Sequence, residues 1–344
     1  MKDSTLEEGT MQALVYEGPR TMMMREVPVP VLRDDEVLIR VVVAGICGSE
    51  LSGYTGHNSL RKPPLVMGHE FSGVIERTGS RAGRYRPGDR VTANPLVTCG
   101  ACTYCRTGRS QLCRERQLLG AHRPGAFAEY VAVPECNVAK LDDRISFEEG
   151  AFAEPFACAV HICRLLALAP TDRLVIYGAG PIGLFALQAA QAYGVRDAVV
   201  IDLNEARLAI AAELGGLVVT DLESAPYAAG EYDAAIDAVG AEVTRLRCVQ
   251  AVRAGGRVLF TGLHEAESKL PINEMIRNEV ATLGAFAYSE QDFSTALRWI
   301  GEGRVRLLPW TVQAPLAEGG VCFEQLIAGP GKVAKILLTP SVHP

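Results

Sequence analysis

The sequence predicts an α/β protein in two parts: a β-rich first part, then alternating strands and helices that build a parallel sheet. Three observations carry this. Short β-branched runs punctuated by Gly and Pro fill the chain up to about Glu148. From Leu174 onward, short apolar runs alternate with segments at helical spacing. A glycine-rich turn, Gly178-Ala179-Gly180-Pro181-Ile182-Gly183, stands between the first of those strands and the helix after it. At 344 residues the chain is long for one core and comfortable for two domains.

The elements follow in order. Val37–Val43 and Phe71–Ile75 read as strands, and Arg86-Pro87-Gly88-Asp89 as a turn. Met22-Met23-Met24 reads as a strand segment with no metal role. Ala126–Val133 alternates weakly and ends at Pro134, as a strand can. Glu148–Leu168 has apolar residues at helical spacing with few breakers, and its His161, Cys158 and Cys163 read as packing residues. Leu174–Tyr177, Ala198–Ile201, Ala234–Ile236 and Val258–Phe260 are the expected parallel strands. Ile182–Tyr193 and Glu205–Leu214 are crossover helices, and Gln291–Ile300 is a later one. A last strand is expected at Val333–Leu338. There is no internal repeat and no low-complexity linker.

Composition excludes some partners. Net charge is −6, so the surface as a whole has no electrostatic reason to seek nucleic acid or anionic membranes. No stretch reaches the roughly 18 apolar residues of a membrane span. The first residues are acidic and lack the apolar core of a signal peptide, so the default location is cytoplasmic.

The glycine turn fits G-x-G-x-x-G in the context that gives the pattern meaning, after a strand and opening a helix. Gly178 makes the tight turn, Gly180 lets the backbone approach a pyrophosphate, and Gly183 lets helix and strand pack closely. Pro181 and Ile182 open the helix, whose free N–H groups and dipole favour phosphate. Asp202 ends the next strand, nineteen residues after Gly183, where a carboxylate grips ribose hydroxyls. A ribose phosphate would be repelled there, which favours NAD over NADP. Arg207, about one helical turn further on, softens that repulsion and is a further cofactor candidate. The plainer alternative has Asp202 only capping the following helix.

Ten cysteines are present, and Cys99, Cys102, Cys105 and Cys113 fall within fifteen residues. In a reducing compartment such a cluster points to metal rather than disulfides. Four thiolates satisfy tetrahedral zinc and leave no open position, so the site is structural. On ligand type alone an iron–sulfur cluster stays open. A nucleic-acid-binding zinc module would need a basic surface that the chain lacks.

Cys47 in Gly45-Ile46-Cys47-Gly48-Ser49, His69-Glu70 after Gly68, and Glu154 before Pro155 are each modest signals alone. With Arg86–Val91, the cysteine lobe, Gly178–Gly183 and Lys332-Val333, they stand in the order of one family. Over nearly its whole length the chain resembles the zinc-containing medium-chain dehydrogenases. That resemblance implies a GroES-like, mainly β catalytic domain carrying the structural zinc lobe, split between residues 1–154 and 290–344, with a Rossmann NAD-binding domain at 155–289. It implies two zinc ions per chain, one structural and one catalytic. The catalytic ion is expected on Cys47, His69 and Glu154, with Glu70 binding in some states or holding a water. Ser49 matches the hydroxyl that accepts the alcohol proton. Glu154-Pro155 resembles the polyol branch, which includes sorbitol, xylitol and sugar-alcohol dehydrogenases. The expected reaction is hydride transfer between a secondary alcohol, or the matching ketone, and NAD. A homodimer or homotetramer is implied as well.

The chain departs from the family twice. Glu50 stands where an Asp usually orients a zinc ligand, and Ser52 stands where a relay His is common. His57 reads as a solvated loop residue. Other readings were a threonine or amino-alcohol dehydrogenase, for which no placed cation is visible in the sequence, and a non-catalytic nucleotide-binding relative, which the intact ligand set disfavours.

Overall fold

The computed structural model describes residues 9–308, 310–329 and 331–340. The chain divides into two compact units, Met1–Glu154 with Leu307–Pro344, and Pro155–Arg306.

In the first unit, among the described residues, a three-stranded sheet is formed by Thr10–Gly18, Thr21–Pro28 and Leu65–Val66. A seven-stranded sheet is centred on Glu36–Gly45, which pairs with Glu70–Thr78 on one side and with Lys335–Thr339 on the other. The strand expected at Val333–Leu338 is therefore the Lys335–Thr339 strand, which returns antiparallel with Leu337 opposite Gly45. Its neighbour Thr311–Pro315 and the helix Gly319–Ile327 belong to this unit too. Alternating inward residues such as Val37, Ile39 and Val41 join Phe71, Phe127 and Phe323 in one buried core.

Two local expectations change. The expected strand Ala126–Val133 begins only at Tyr130. The stretch before it instead spends its backbone on the ligand-bearing turn: Ala126 N–H donates to Gly68 O at 2.9 Å and Phe127 N–H to Met67 O at 2.9 Å. The single helix expected over Glu148–Leu168 is two, Phe147–Ala151 and Ala153–Leu165, interrupted at Phe152. Ser146 and Glu149 close a capping box at the start of the first.

The second unit holds a six-stranded parallel sheet, with Leu217–Val219, Asp197–Ile201, Arg173–Tyr177, Tyr232–Asp237, Val252–Phe260 and Ala281–Gly284 in that spatial order. Sequence order reverses direction at Arg173–Tyr177, the position where open parallel sheets bind ligands at their carboxyl ends. The helix Glu290–Gly301, placed from residue 290 in the split domain by sequence, packs in this unit instead. Two anchors explain this. Trp299 meets Phe156 and Tyr193 edge-on or tilted, at 6.4 and 5.2 Å between centroids. Buried Asp292 takes hydrogen bonds from His161 at 2.7 Å and from Arg164 at 2.7 and 3.0 Å. Burial alone would raise the Asp292 pKa, but the donors His161, Arg164 and Ser289 outweigh it and hold the carboxyl well below its usual range.

Candidate metal centres and dinucleotide loop

The sulfurs of Cys99, Cys102, Cys105 and Cys113 all lie within 4.8 Å of one another. Three of the separations are 3.5, 3.5 and 3.9 Å. Four sulfurs about 2.3 Å from a tetrahedral zinc stand about 3.8 Å apart, so the lobe is already shaped for that ion. Gly100 and Gly108 make its bends at positive φ (70° and 73°). Backbone N–H groups of Ala101 and Cys102 favour the Cys99 thiolate and bring its pKa down to about 7, while burial pushes Cys105 up to about 11. A thiolate is the form that binds metal.

A second cluster joins Cys47, His69 and Glu70, with one ligand atom of each within 4.8 Å of the others. Cys47 precedes the helix Gly48–Tyr54, and His69-Glu70 sits at the start of Glu70–Thr78. Glu50 organises the first two of these residues. Its Oε1 accepts from His69 Nδ1 at 2.8 Å and from Gly68 N–H at 2.8 Å, and its Oε2 accepts from Cys47 N–H at 3.0 Å. His69 is thus held with its other ring nitrogen toward Cys47, where a metal would be shared between them. The extra methylene relative to Asp is absorbed without loss of these contacts. Thiolate, imidazole and carboxylate together are a zinc donor set.

Glu154, in the first turn of Ala153–Leu165, is buried but lies outside that group of mutually close atoms. The sequence did not single out Lys335. Its side chain is buried and forms an ion pair with Glu70. Burial works to lower the Lys335 pKa, but the charges of Glu70, Cys47 and Glu50 outweigh it and the net direction is upward. No local motif marks this lysine, because a strand nearly three hundred residues from Cys47 in sequence delivers it.

Ser49 Oγ donates to Cys47 Sγ at 3.3 Å and accepts from Arg61 Nη2 at 3.1 Å. His57 Nδ1 bonds Thr55 Oγ1 at 3.0 Å in an exposed position, as expected for a loop residue.

In the second unit the glycines meet their expected constraints. Gly178 has φ 105°. A Cβ on Gly183 would fall 1.7 Å from Gly178 O, so that position admits no side chain. A Cβ on Gly180 would meet nothing within 4 Å, which leaves its outer face open. Gly180 caps the helix Pro181–Ala192 without a side-chain bond, Pro181 opens it, and Ile182 follows in its first turn. Asp202 does not cap the next helix, since Asn204 does so with bonds to Ala206 and Arg207 N–H. Instead Asp202 Oδ2 accepts from Ala179 N–H at 2.6 Å, tying the strand end to the glycine loop. Arg207 is half-buried, and its Nε has no hydrogen-bond partner.

Residues 33–143 match the family model described as alcohol dehydrogenase GroES-like domain, and residues 181–302 match the one described as zinc-binding dehydrogenase. The chain is similar to L-idonate 5-dehydrogenase of Vitis vinifera, 33% identical over 85% of this chain and 84% of that one. It is similar to sorbitol dehydrogenase of Bacillus subtilis, 34% identical over 81% and 83%. Among solved structures, an alcohol dehydrogenase from Escherichia coli CFT073 complexed with NADH superposes with a TM-score of 0.89 at 27% identity, covering 96% of this chain and 99% of that one.

Proposed function

Because the chain belongs to the zinc-dependent medium-chain alcohol dehydrogenases and is an oxidoreductase of that family, we propose that it interconverts a secondary alcohol of the polyol class and the matching ketone, with NAD as hydride carrier. The observation that carries this is the cluster of Cys47, His69 and Glu70, the first two organised by Glu50, with Ser49 one hydrogen bond away. Relatives named for L-idonate and sorbitol support the substrate class.

A zinc ion at this cluster would supply Lewis acidity to the substrate oxygen, and a dinucleotide at the glycine loop would supply a hydride acceptor. The chain does the rest. Cys47 and His69 would hold the ion, with a carboxylate from Glu70, which lies beside them, or from Glu154, as the resemblance implies. Glu50 keeps the His69 Nδ1 proton in place. Ser49 takes the alcohol proton and passes on its own, so one proton leaves to solvent; the carbinol hydrogen would leave with both electrons of its C–H bond as hydride to a bound nicotinamide. With Ser52 in place of a relay histidine, the proton at Ser49 Oγ passes to water.

The lobe of four cysteines holds the second zinc. Asp202 favours NAD over NADP, and Arg207 flanks the adenosine end. No described helix is long and apolar enough to cross a membrane, and a cytoplasmic place would keep the lobe thiols reduced. A dimer or tetramer is proposed, to be sized by light scattering.

The test is NADH formation by the zinc-loaded protein across polyols, cyclitols, simple secondary alcohols and threonine, with metal content measured on the same sample. Turnover on a polyol, with two zincs per chain and loss of rate in Glu154→Ala, is expected. Preference for threonine would move the substrate class. One zinc or none would overturn the catalytic-centre assignment.

A further inference from the structure

Arg61 is an arginine in an unusual position. It is 4% exposed, and its Nε is buried with no hydrogen-bond partner. Among the described residues it makes no ion pair. The carboxylate whose charge it feels is Glu50, which accepts hydrogen bonds from His69, Gly68 and Cys47 but none from Arg61. A buried guanidinium without a directly bonded anion is costly, because neither water nor a carboxylate replaces its hydration.

The position is built. Gly53, on the helix Gly48–Tyr54, leaves the space in which the arginine stem lies: a Cβ there would fall 2.4 Å from Arg61 Cδ. The stem is thereby directed along that helix, and Nη2 ends on Ser49 Oγ at 3.1 Å, itself 3.3 Å from Cys47 Sγ. The guanidinium therefore stands two hydrogen bonds from the Cys47 sulfur; Nε is sealed inside the protein, and the N–H groups left to a ligand are those of Nη1 and the second of Nη2. A substrate whose reacting oxygen sits beside Ser49 brings its next carbons past this cation.

We propose that Arg61 is a specificity-determining residue that recognises a carboxylate on the carbon chain of the substrate, so that the preferred alcohol is a sugar acid rather than a neutral polyol. This rests on the polyol reading above. A single planar fork matches a carboxylate monoanion. A phosphate dianion calls for more positive charge. Neighbouring Lys62 is exposed, and Lys335 is already paired with Glu70.

The test compares L-idonate, L-iditol and glucitol 6-phosphate as substrates of the zinc-loaded enzyme. It also measures L-idonate binding to the enzyme–NADH complex by calorimetry, a readout independent of turnover. The wild type is expected to favour L-idonate. Arg61→Gln is expected to raise KM and Kd for L-idonate by about ten- to hundredfold more than KM for L-iditol, with Arg61→Lys restoring part of the difference. Gly53→Ala, which displaces the arginine while leaving its charge, is expected to lose the same preference and guards against a folding defect in Arg61→Gln; zinc content and NADH binding report folding in each. Equal losses on L-idonate and L-iditol, or a wild type indifferent to the carboxylate, would overturn the proposal. An Arg61-dependent preference for glucitol 6-phosphate would replace the carboxylate by a phosphate. Absence of turnover on all three with Arg61-dependent L-idonate binding would overturn the polyol reading and leave the arginine as an anion site.

Discussion

Lys335 on the returning C-terminal strand and Glu70 at the start of a central strand form a wholly buried ion pair beside the Cys47–His69 cluster. The lysine fixes Glu70 at the edge of the metal site and balances its charge. Breaking such a pair from one side leaves a charge stranded in low dielectric. In metal-free protein, Lys335→Met is expected to lower stability by about 3–5 kcal/mol. Lys335→Met combined with Glu70→Gln should cost clearly less than the two single changes added. Urea unfolding of the four proteins measures this, and additive losses would show that the two residues act independently.

Glu50 holds both His69 and the backbone of Cys47. Removing its charge while keeping its shape, in Glu50→Gln, is expected to weaken zinc at the catalytic cluster by about 10–100-fold. Competition with a chromophoric chelator reads the affinity. The four-cysteine zinc should be unaffected, which gives an internal control.

The two proposed metal sites draw on different residues and should be lost separately. Cys113→Ser is expected to leave one zinc per chain and a destabilised lobe, whereas Cys47→Ser is expected to leave one zinc and no turnover. Elemental analysis beside thermal unfolding distinguishes them. If either substitution removed both ions, the sites would have to be coupled.

Asp292, clamped by His161, Arg164 and Ser289, sets a pH dependence of stability in the second unit. Its folded-state pKa lies below the value of about 3.9 expected of an unfolded chain. The unfolded chain therefore binds this proton first as pH falls. The contribution is complete above about pH 5 and is lost as the pH drops through 3.9 toward the folded value. Asp292→Asn should cost roughly 3 kcal/mol at pH 7 and about 1 kcal/mol less near pH 3, the rest being lost only as the pH nears the folded value. A constant difference between the two proteins across that range would remove Asp292 as the origin.

Asp202→Ser is expected to weaken NADH binding and to narrow the preference for NADH over NADPH, as read by fluorescence titration. An unchanged ratio would show that selectivity lies elsewhere, with Arg207 the next residue to change.

The parts of the molecule visible in the sequence were those encoded within a few residues. Gly178–Gly183 and the Cys99–Cys113 lobe are local motifs whose glycine and cysteine spacings state their own geometry, and the structure builds both. Parallel strands such as Ala198–Ile201 are buried on both faces, so their short apolar runs stand out; three of the four expected ones shift by only a residue or two, while Val258–Phe260 begins six residues earlier, at Val252. What distant parts of the chain assemble was less visible. Lys335 is an ordinary strand residue until the sheet order sets it beside Glu70. Arg61 reads as one more loop arginine until the space at Gly53 turns it inward. The stretch at Ala126–Ala128 looks like a strand, but its hydrogen bonds are claimed by Met67 and Gly68.

The bond from Ala179 N–H to Asp202 joins the glycine turn, proposed to meet phosphate, to the strand end proposed to meet ribose, before any cofactor arrives. Two regions that a dinucleotide must touch at once are thereby registered by folding itself. The entropy of aligning them is lost during folding and not during binding. Association at this loop should resemble docking onto a rigid template, with little rearrangement on entry, so cofactor affinity should respond to Ala179→Pro, which deletes the N–H, even though that substitution removes no group that touches the ligand.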